Sequence, residues 1–431
     1  MIKKLLLLLL LIQGTSMASS INYITVEGVK VPLIHEEDTR LPMVSMQLVF
    51  KQSGSIEDGK LPGLAKMSAK MMNEGTEKLG SIGFAKELDA KAVHISASTG
   101  TETFVMEISS LTEAFDYGLE KFDDLLRGPN LSKETLEKVK ALTIGGLSRK
   151  ENDYDYVAAK ALKEELFKGT QLEHPSSGSI EDVKKIEVND VESFLEEHLV
   201  LSRAVVVVGG DITLEDAKTK AKTLLASLKK GSSVALPFVD VSKKSKRVVL
   251  ERKTEQAYLY FGSPYDLKVG DEDEYKARVG IFILGTGGFG SRLREEIRVK
   301  RGLAYSAYAR VNAARSNVYF TGYLQTKLES QEEAEKTVKE VIAKFVKDGV
   351  TQNELDQAKK FLLGSEPLRV ETLSQRLSRT FQEYYKGNEL GSSLKELKKV
   401  EALTLDDLNT YIKKHTEIND LSWAIVTNEA K

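Results

Sequence analysis

An internal repeat constrains the fold of this chain more than any other feature of the sequence. Residues 104–142 and residues 318–362 each read as a strand, a helix, a turn and a second helix. A shift of 219 positions places Leu136 on Leu355 and keeps the apolar spacing of two amphipathic helices. Ser132 and Thr351 then occupy matching N-cap positions. The sequence therefore predicts a tandem duplication of one domain.

Strand-like runs lie between these helices in both halves. Residues 43–50 and 94–99 alternate in this way in the first half, and residues 257–262 and 303–311 do so in the second. The strands do not alternate steadily with single helices, so a parallel βαβ sheet is not indicated. We predict an α+β fold with two homologous domains, each a mainly antiparallel sheet with helices on one face.

The domain limits follow from composition. Residues 1–18 have a basic start, an apolar run and small residues, which is typical of a secretory signal peptide. Residues 229–247 interrupt the periodic regions with Gly, Ser, Pro and a basic run and read as a linker. We therefore expect one domain over residues 19–228 and a second over residues 248–431.

Charge and cysteine content exclude several function classes. The chain has 62 basic and 64 acidic residues, a balance that argues against nucleic acid as a partner. It has no cysteine, so neither disulfides nor thiolate metal sites can form. The apolar run near the start is too short to span a membrane. We expect a soluble periplasmic protein without a membrane span.

The histidines do not form a metal-binding pattern. No two of them are three, four or five positions apart, so none starts a helical pair of ligands. A structural or surface role is the simpler interpretation of each. The five are His35, His94, His174, His198 and His415.

A glycine-rich segment in the second half suggests a nucleotide site at first sight. Gly285, Gly287 and Gly290 satisfy G-x-G-x-x-G after an apolar run and before a helix. The acidic residue that binds ribose in such sites is missing about 20 residues further on. No parallel βαβ unit surrounds the motif, so the match is weak evidence for dinucleotide binding.

The helix that follows these glycines is predicted over residues 291–301, with Ser291 as its N-cap and Gly302 after its end. Arg298 near its end and Tyr305 in the next strand could project to one spot. A guanidinium and a phenol together suit a peptide carbonyl or an oxyanion. Alternatively, Arg298 pairs with Glu295 on the helix surface and Tyr305 faces the core with Leu303 and Ala307.

Two lysines in the first half stand at helical i, i+4 spacing. Lys66 and Lys70 lie within "GLAKMSAKMMNEGT", residues 63–76, where like charges on one helix face weaken the helix slightly. The sequence alone gives these two residues no partner.

In this segment the chain resembles the insulinase/pitrilysin family of metallopeptidases, which includes the mitochondrial processing peptidases. Members carry Gly-Leu-Ala-His-x-x-Glu-His-Met, with two zinc-binding histidines and a glutamate that activates water, and a further glutamate on a later helix. The frame is kept here, but Lys66, Ala69, Lys70 and Gly146 stand at the four functional positions. The resemblance thus implies the fold and, for this chain, a degenerate zinc motif without a metal.

The second half resembles the family more closely at "SRLREEIRVKRGLAYS", residues 291–306. There the family has an arginine and a tyrosine that hold substrate and stabilise the tetrahedral intermediate, and Arg298 and Tyr305 match them. Residues 285–290 would then form a flexible loop near the site, with the glycines Gly285, Gly287, Gly288 and Gly290.

The resemblance favours one function and leaves two others open. Some bacterial members divide the work between a zinc-bearing chain and a partner that supplies the Arg/Tyr pair. We expect this chain to be the second kind: inactive alone, without cofactor, and paired with a zinc-bearing subunit in a clamshell heterodimer that cleaves peptides. The alternatives are a non-enzymatic scaffold or peptide-binding module, and a peptidase that uses other metal ligands.

Overall fold

The computed structural model describes residues 19–288 and 290–428, and the predicted signal peptide, residues 1–18, lies outside them. The strands of the described chain form two sheets, ordered β1-β2-β6-β3-β5-β4 and β7-β11-β8-β10-β9. Their bounds are β1 Ser20–Val26, β2 Val29–Glu37, β3 Met43–Lys51, β4 His94–Thr99, β5 Thr103–Leu111, β6 Ala204–Gly210, β7 Arg247–Glu251, β8 Gln256–Pro264, β9 Ala304–Ala314, β10 Asn317–Lys327 and β11 Ser422–Thr427.

The helices are distributed over both halves. Two π-helical stretches, Phe282–Thr286 and Glu295–Lys300, continue α9 and α10. The helix bounds are α1 Leu64–Met72, α2 Gly80–Asp89, α3 Phe115–Arg127, α4 Lys133–Lys150, α5 Tyr154–Leu166, α6 Ile180–Lys185, α7 Val188–His198, α8 Leu214–Leu225, α9 Glu274–Ile281, α10 Arg292–Arg294, α11 Gln331–Asp348, α12 Gln352–Gly364, α13 Leu373–Lys386, α14 Ser392–Ala402 and α15 Leu405–Lys414.

The two sheets confirm the predicted α+β class and the internal repeat. Each sheet is antiparallel except for one parallel pair, β2 with β6 and β7 with β11. The predicted caps are also confirmed, since the Ser132 hydroxyl accepts from the Thr135 N–H and that of Thr351 accepts from the Glu354 N–H. Local signals in the sequence therefore located the equivalent helices of both halves.

Each sheet buries one face under helices of its own half. In the first of these cores, Phe50 of β3 and Phe104 of β5 are fully buried together with Phe122 of α3. Phe261 and Phe320 hold the same place in the second core, beneath α11 and α15. Burial of each phenylalanine contributes a few kcal/mol of stability, so both cores are strong enough to define domains.

The opposite face of each sheet is covered by a helix from the other half, which the sequence did not predict. Helix α13 packs on β2 and β6, and α5 packs on β8 and β11. Glycines make room for both helices. A Cβ at Gly209 would lie 2.8 Å from Leu377 Cδ1, and one at Gly262 would lie 3.0 Å from Leu166 Cδ1. This reciprocal exchange joins the two halves over apolar surfaces.

Arg376 adds a charged contact to the exchange. Its guanidinium binds Glu36 at 2.5 Å and Asp38 at 2.9 Å, both from the first half. The guanidinium also donates to the carbonyl oxygens of Val370 and Glu371, just before α13, and these bonds orient the side chain. The side chain of Glu36 is only 3% exposed, so this ion pair is largely removed from water. The contact fixes α13 against the first sheet.

The segment between the halves runs along their junction. The stretch 229–246 contains neither helix nor strand, and β7 begins at Arg247. Val239 and Val241 are nevertheless buried, and the Val239 N–H donates to the Ser316 carbonyl at 2.7 Å.

Within residues 19–288 and 290–428, the helices all lack the combination of length and apolar character that crossing a bilayer requires.

Candidate functional site

Helix α1 presents Lys66 and Lys70 on a half-buried face, and Ala69 is buried beside them. The Asp58 carboxylate holds the start of this helix by accepting from the N–H groups of Gly63 and Ala65, both at 2.7 Å. Burial raises the pKa of Asp58 to about 7, although these two hydrogen bonds favour its charged form. The degenerate motif thus lies on a firmly anchored helix.

Helix α4 faces α1 and carries Gly146, which the family resemblance predicts at the position of the last zinc ligand. Thr143, Gly146 and Lys150 are spaced i, i+3 and i+7 and so lie along one face of α4. The Lys70 Nζ donates to the Thr143 hydroxyl at 2.6 Å, and this hydroxyl donates to the Val139 carbonyl at 2.7 Å. The structure therefore brings Lys70 against the helix that carries Gly146.

The charges at this place are all positive. Burial lowers the pKa of Lys66, and the charge of Lys150 lowers it further. Burial also lowers the pKa of Lys70, with added effects from Lys66 and Lys150. Lys150, at the end of α4, was not recognised from the sequence, although its i+4 spacing from Gly146 could have indicated it. Three ammonium groups thus lie close enough to repel one another.

These residues do not fit zinc. A catalytic zinc site needs neutral imidazoles and carboxylates, whereas this one offers lysine amines, a methyl group and a glycine. In the described parts of the chain, no group of three or more His, Asp or Glu side chains is placed to hold a metal. The first domain therefore supplies no step that depends on a metal.

The histidines lie apart from this site. His35 and His198 are buried and each bonds a backbone carbonyl, of Ile212 at 2.9 Å and of Phe194 at 2.8 Å. His415 is buried against Tyr265 and bonds Glu417, whereas His94 and His174 are exposed. Their surroundings are those of structural and surface residues.

In the second domain the structure brings Arg298 and Tyr305 together. The guanidinium carbon of Arg298 lies 4.3 Å from the centre of the Tyr305 ring, a cation–π contact. Arg298 is on the π-helical stretch Glu295–Lys300, and Ile297 anchors that stretch in the core. Arg292 anchors its start through a two-pronged ion pair with Glu354, at 2.6 and 2.8 Å. The pair is thus held by rigid elements.

The alternative in which Tyr305 faces the core with Leu303 and Ala307 is wrong. Tyr305 is 79% exposed, whereas Leu303 and Ala307 are buried. The cause is an irregular pairing of β9 with β10. Leu324 pairs with Ala307 and Thr326 pairs with Ala304, so two residue steps on β10 correspond to three on β9. An extra residue of this kind, a β-bulge, breaks the alternation of side chains. The bulge turns the phenol outward beneath Arg298.

The glycine segment between α9 and α10 does not form a nucleotide-binding turn. The apolar run before it is helical, whereas the dinucleotide motif requires a strand there. Gly285 packs against β9 so closely that a Cβ would lie 2.4 Å from the Ala309 nitrogen. Gly288 and Gly290 adopt left-handed conformations, with φ of 61° and 105°. Flexibility of this loop stays a prediction. Gly287 is also tightly placed, since a Cβ there would lie 2.7 Å from the Phe282 carbonyl oxygen.

Comparison with known proteins matches both halves to one family. The chain matches the model for insulinase (peptidase family M16) over residues 33–179 and the model for the peptidase M16 inactive domain over residues 185–362. The second match begins before the predicted linker at residues 229–247, and the predicted domain limits stay a prediction.

Relatives and solved structures extend over nearly the whole chain. The chain is 41% identical over 414 residues, 96% of each chain, to the non-peptidase homolog YmxG of Helicobacter pylori. A peptidase M16 inactive domain from Pseudomonas fluorescens has the same fold, with a TM-score of 0.87, 23% identity and coverage of 95% of this chain and 98% of that one. The periplasmic protease PqqL of Escherichia coli gives a TM-score of 0.77 with 13% identity, over 96% of this chain and 46% of that one. The chain therefore belongs to the M16 (insulinase) peptidase family and is an inactive homologue within it.

Proposed function

We propose that this chain is the accessory subunit of a heterodimeric zinc metallopeptidase, paired with a zinc-bearing chain of the same family. One contrast carries the proposal. The first domain has cationic and small residues where zinc ligands belong, whereas the second displays Arg298 and Tyr305 together on an exposed surface. A chain that only kept the fold would gain nothing from holding a 79% exposed tyrosine under an arginine.

The chemistry of this pair suits a reaction at a peptide bond. The guanidinium of Arg298 presents several N–H donors in one plane. The exposed phenol of Tyr305 can donate to an oxygen on which negative charge develops. Donors fixed in place before the reaction stabilise such an oxyanion strongly. Arg298 and Tyr305 would therefore hold the substrate carbonyl and support its tetrahedral intermediate.

The partner would supply the remaining functions. A zinc ion held by its histidines and glutamate would activate the attacking water. The second domain of this chain would face that site across a peptide-sized chamber. The substrate would bind in extended form along a sheet edge of the partner, by addition of a strand.

The periplasm is the proposed location. Residues 1–18 have the sequence pattern of a cleaved signal peptide, and the absence of cysteine frees the chain from disulfide chemistry in an oxidising compartment. A fold neighbour, PqqL of Escherichia coli, is described as a periplasmic protease.

The test is reconstitution of peptidase activity. The mature chain is co-expressed with a family member of the same genome that carries His-x-x-Glu-His, and cleavage of a quenched fluorescent peptide library is measured. The complex should cleave peptides, whereas either chain alone should not. Arg298→Ala and Tyr305→Phe should lower kcat/KM by at least about tenfold each, because each removes a donor to the developing oxyanion.

A matched pair provides the control. Tyr23 is 48% exposed and lies 4.0 Å from the Lys30 ammonium, a second surface cation–π contact remote from β9. Lys30→Ala and Tyr23→Phe should leave activity unchanged. Full activity of the Arg298→Ala and Tyr305→Phe complexes would refute the role of the pair, and absence of a complex would refute the heterodimer.

A second candidate is a non-enzymatic peptide-binding module or scaffold, which the name of the Helicobacter pylori relative agrees with. One observation favours it. A groove of about 730 Å³ opens between the first sheet and α13, lined by apolar side chains such as Met43, Val207 and Phe381, with Gln47 and Glu107 among its polar groups. Peptide binding by the isolated chain, without activity in any complex, would support this function over the first.

A further inference from the structure

The facing sides of α1 and α4 form a cluster of positive charge that the peptidase role does not use. We define the lysine cluster as Lys66 and Lys70 on α1 with Lys150 on α4. The structure assigns to this cluster a binding site for an oxyanion, either a carboxylate of an acidic peptide or a phosphate group.

Two other lysines near this cluster are paired with carboxylates, whereas the members of the cluster are not. Lys138, earlier on α4, pairs with Glu74 at 2.6 Å, and Lys121 on α3 pairs with Glu87 at 2.9 Å. Among residues 19–288 and 290–428, by contrast, no carboxylate forms a salt bridge with any member of the lysine cluster. The three ammonium groups thus repel one another without a salt-bridge partner in that part of the chain.

Small residues leave space where a ligand can enter. Ala69 and Gly146 stand at positions that would otherwise carry long carboxylate side chains. A Cβ at Gly146 would meet nothing nearer than the Arg149 Nη2, at 4.0 Å, and one at Gly145 would lie 3.8 Å from Arg149 Nη1. The guanidinium of Arg149 thus lies near the two glycines on the same helix.

One member of the cluster is held in a fixed orientation. Lys70 Nζ donates to Thr143 Oγ1, which is itself tied to the Val139 carbonyl. This chain of hydrogen bonds uses one of the three ammonium protons and leaves two to donate to a ligand. Lys150 rests 5.0 Å from the Tyr156 ring, which limits the space its ammonium explores. The donors are therefore partly organised before a ligand binds.

The chemistry of the donors sets the ligand class. Ammonium groups are compact charges that bind carboxylate and phosphate oxygens alike. Partial burial strengthens such contacts, because the water that screens charge is partly excluded. The same positive charges repel a divalent cation. Loss of the metal ligands has thus reversed the charge preference of this site.

Titration of the isolated mature chain tests this inference independently of any peptidase partner. Two probes are used at low ionic strength in isothermal titration calorimetry: N-acetylated hexaglutamate and inorganic tripolyphosphate. Saturable binding of either probe is expected. The triple variant Lys66→Met, Lys70→Met and Lys150→Met should weaken it at least tenfold, since three charge-assisted contacts are lost.

A matched variant controls for non-specific charge effects. Lys86, Lys91 and Lys133 are exposed lysines of the same domain that form no salt bridge within the described chain. Changing these three to methionine lowers the net charge equally and should alter binding less than twofold. The single variant Lys150→Met, at an exposed helix end, serves if the triple variant does not fold, with a loss of about threefold expected.

Each outcome decides a question. Binding of hexaglutamate alone identifies the carboxylates of an acidic peptide as the ligand, and binding of tripolyphosphate alone identifies a phosphate. No saturable binding of either probe, or equal losses in the two triple variants, would overturn the inference.

Discussion

The contact of Arg376 with the first domain allows a quantitative test of how firmly the two halves are joined. The change is Arg376→Met, which keeps the length of the side chain and removes its charge. Glu36 would then be left without a cationic partner while its side chain is only 3% exposed. The unpaired carboxylate of Glu36 would be largely shielded from water in the folded state. Most of its desolvation cost would therefore lower the free energy of unfolding.

The magnitude follows from the geometry of the contact. Breaking a buried ion pair by removing one partner costs about 3–5 kcal/mol. The Arg376 side chain is 24% exposed, which lets some water reach the site and places the expected loss near the lower limit, about 3 kcal/mol. Glu36 keeps a hydrogen bond from the Ser19 hydroxyl, which provides part of its solvation.

Urea denaturation provides the assay, with two probes that report on different regions. The only tryptophan, Trp423, is 2% exposed in the second domain, whereas far-ultraviolet circular dichroism reports on both domains. The two transitions should coincide in the native sequence, because helix exchange couples the domains. In Arg376→Met the free energy of unfolding should fall and the two transitions should separate.

A double-mutant cycle isolates the pair. Glu36→Gln removes the charge that Arg376→Met leaves unpaired. The loss of unfolding free energy in the double variant should therefore be about 2 kcal/mol smaller than the sum of the losses in the two single variants. Arg369→Met, on an exposed arginine near α13, should change stability by less than about 0.5 kcal/mol. A loss below about 1 kcal/mol in Arg376→Met, or additive effects in the cycle, would refute the reasoning.

Three further predictions concern the chemistry and packing of the two sites. The isolated mature chain should retain no stoichiometric zinc after purification, as measured by inductively coupled plasma mass spectrometry, because positive charges surround the former ligand positions; one equivalent of zinc would contradict this. Burial raises the pKa of Glu354, but hydrogen bonds from Arg292 and from Thr351 outweigh it and lower the pKa to about 2. The stabilisation by charged Glu354 is therefore complete above about pH 5 and is lost as the pH falls toward 2, so the stability advantage over Glu354→Gln, about 1 kcal/mol at neutral pH, should vanish there. Gly285→Ala should lower stability by about 2 kcal/mol or more in thermal denaturation, because its Cβ would overlap the β9 backbone, whereas Gly364→Ala, where the structure leaves open space, should change stability by less than about 1 kcal/mol.

Local patterns predicted much of the architecture. The helix caps Ser132 and Thr351 were identified correctly because a cap depends on residues within one helical turn. Strand β4 was predicted with the bounds that the structure shows, from the alternation of residues 94–99. The position of Arg298 near Tyr305 also followed from local elements, since only a short turn separates the end of the helix from the strand.

Features that depend on distant residues escaped prediction. The exposure of Tyr305 results from an irregular pairing of β9 with β10, and strand register depends on residues of another strand. Lys150 could be assigned to the lysine cluster only from the tertiary structure, because α4 faces α1 there. The groove of about 730 Å³ requires α13 to lie on the sheet of the other domain.

The sequence by itself determined the duplicated α+β domain, because periodicity and caps are local properties. Through the family resemblance it also predicted Lys66, Ala69, Lys70 and Gly146 at the functional positions of the zinc motif. Only the tertiary structure decided that the domains exchange α5 and α13, that the lysines meet another cation, and that Tyr305 points outward. These depend on contacts between residues up to several hundred positions apart, and a pattern within a short window carries no information about which distant surfaces will pack together.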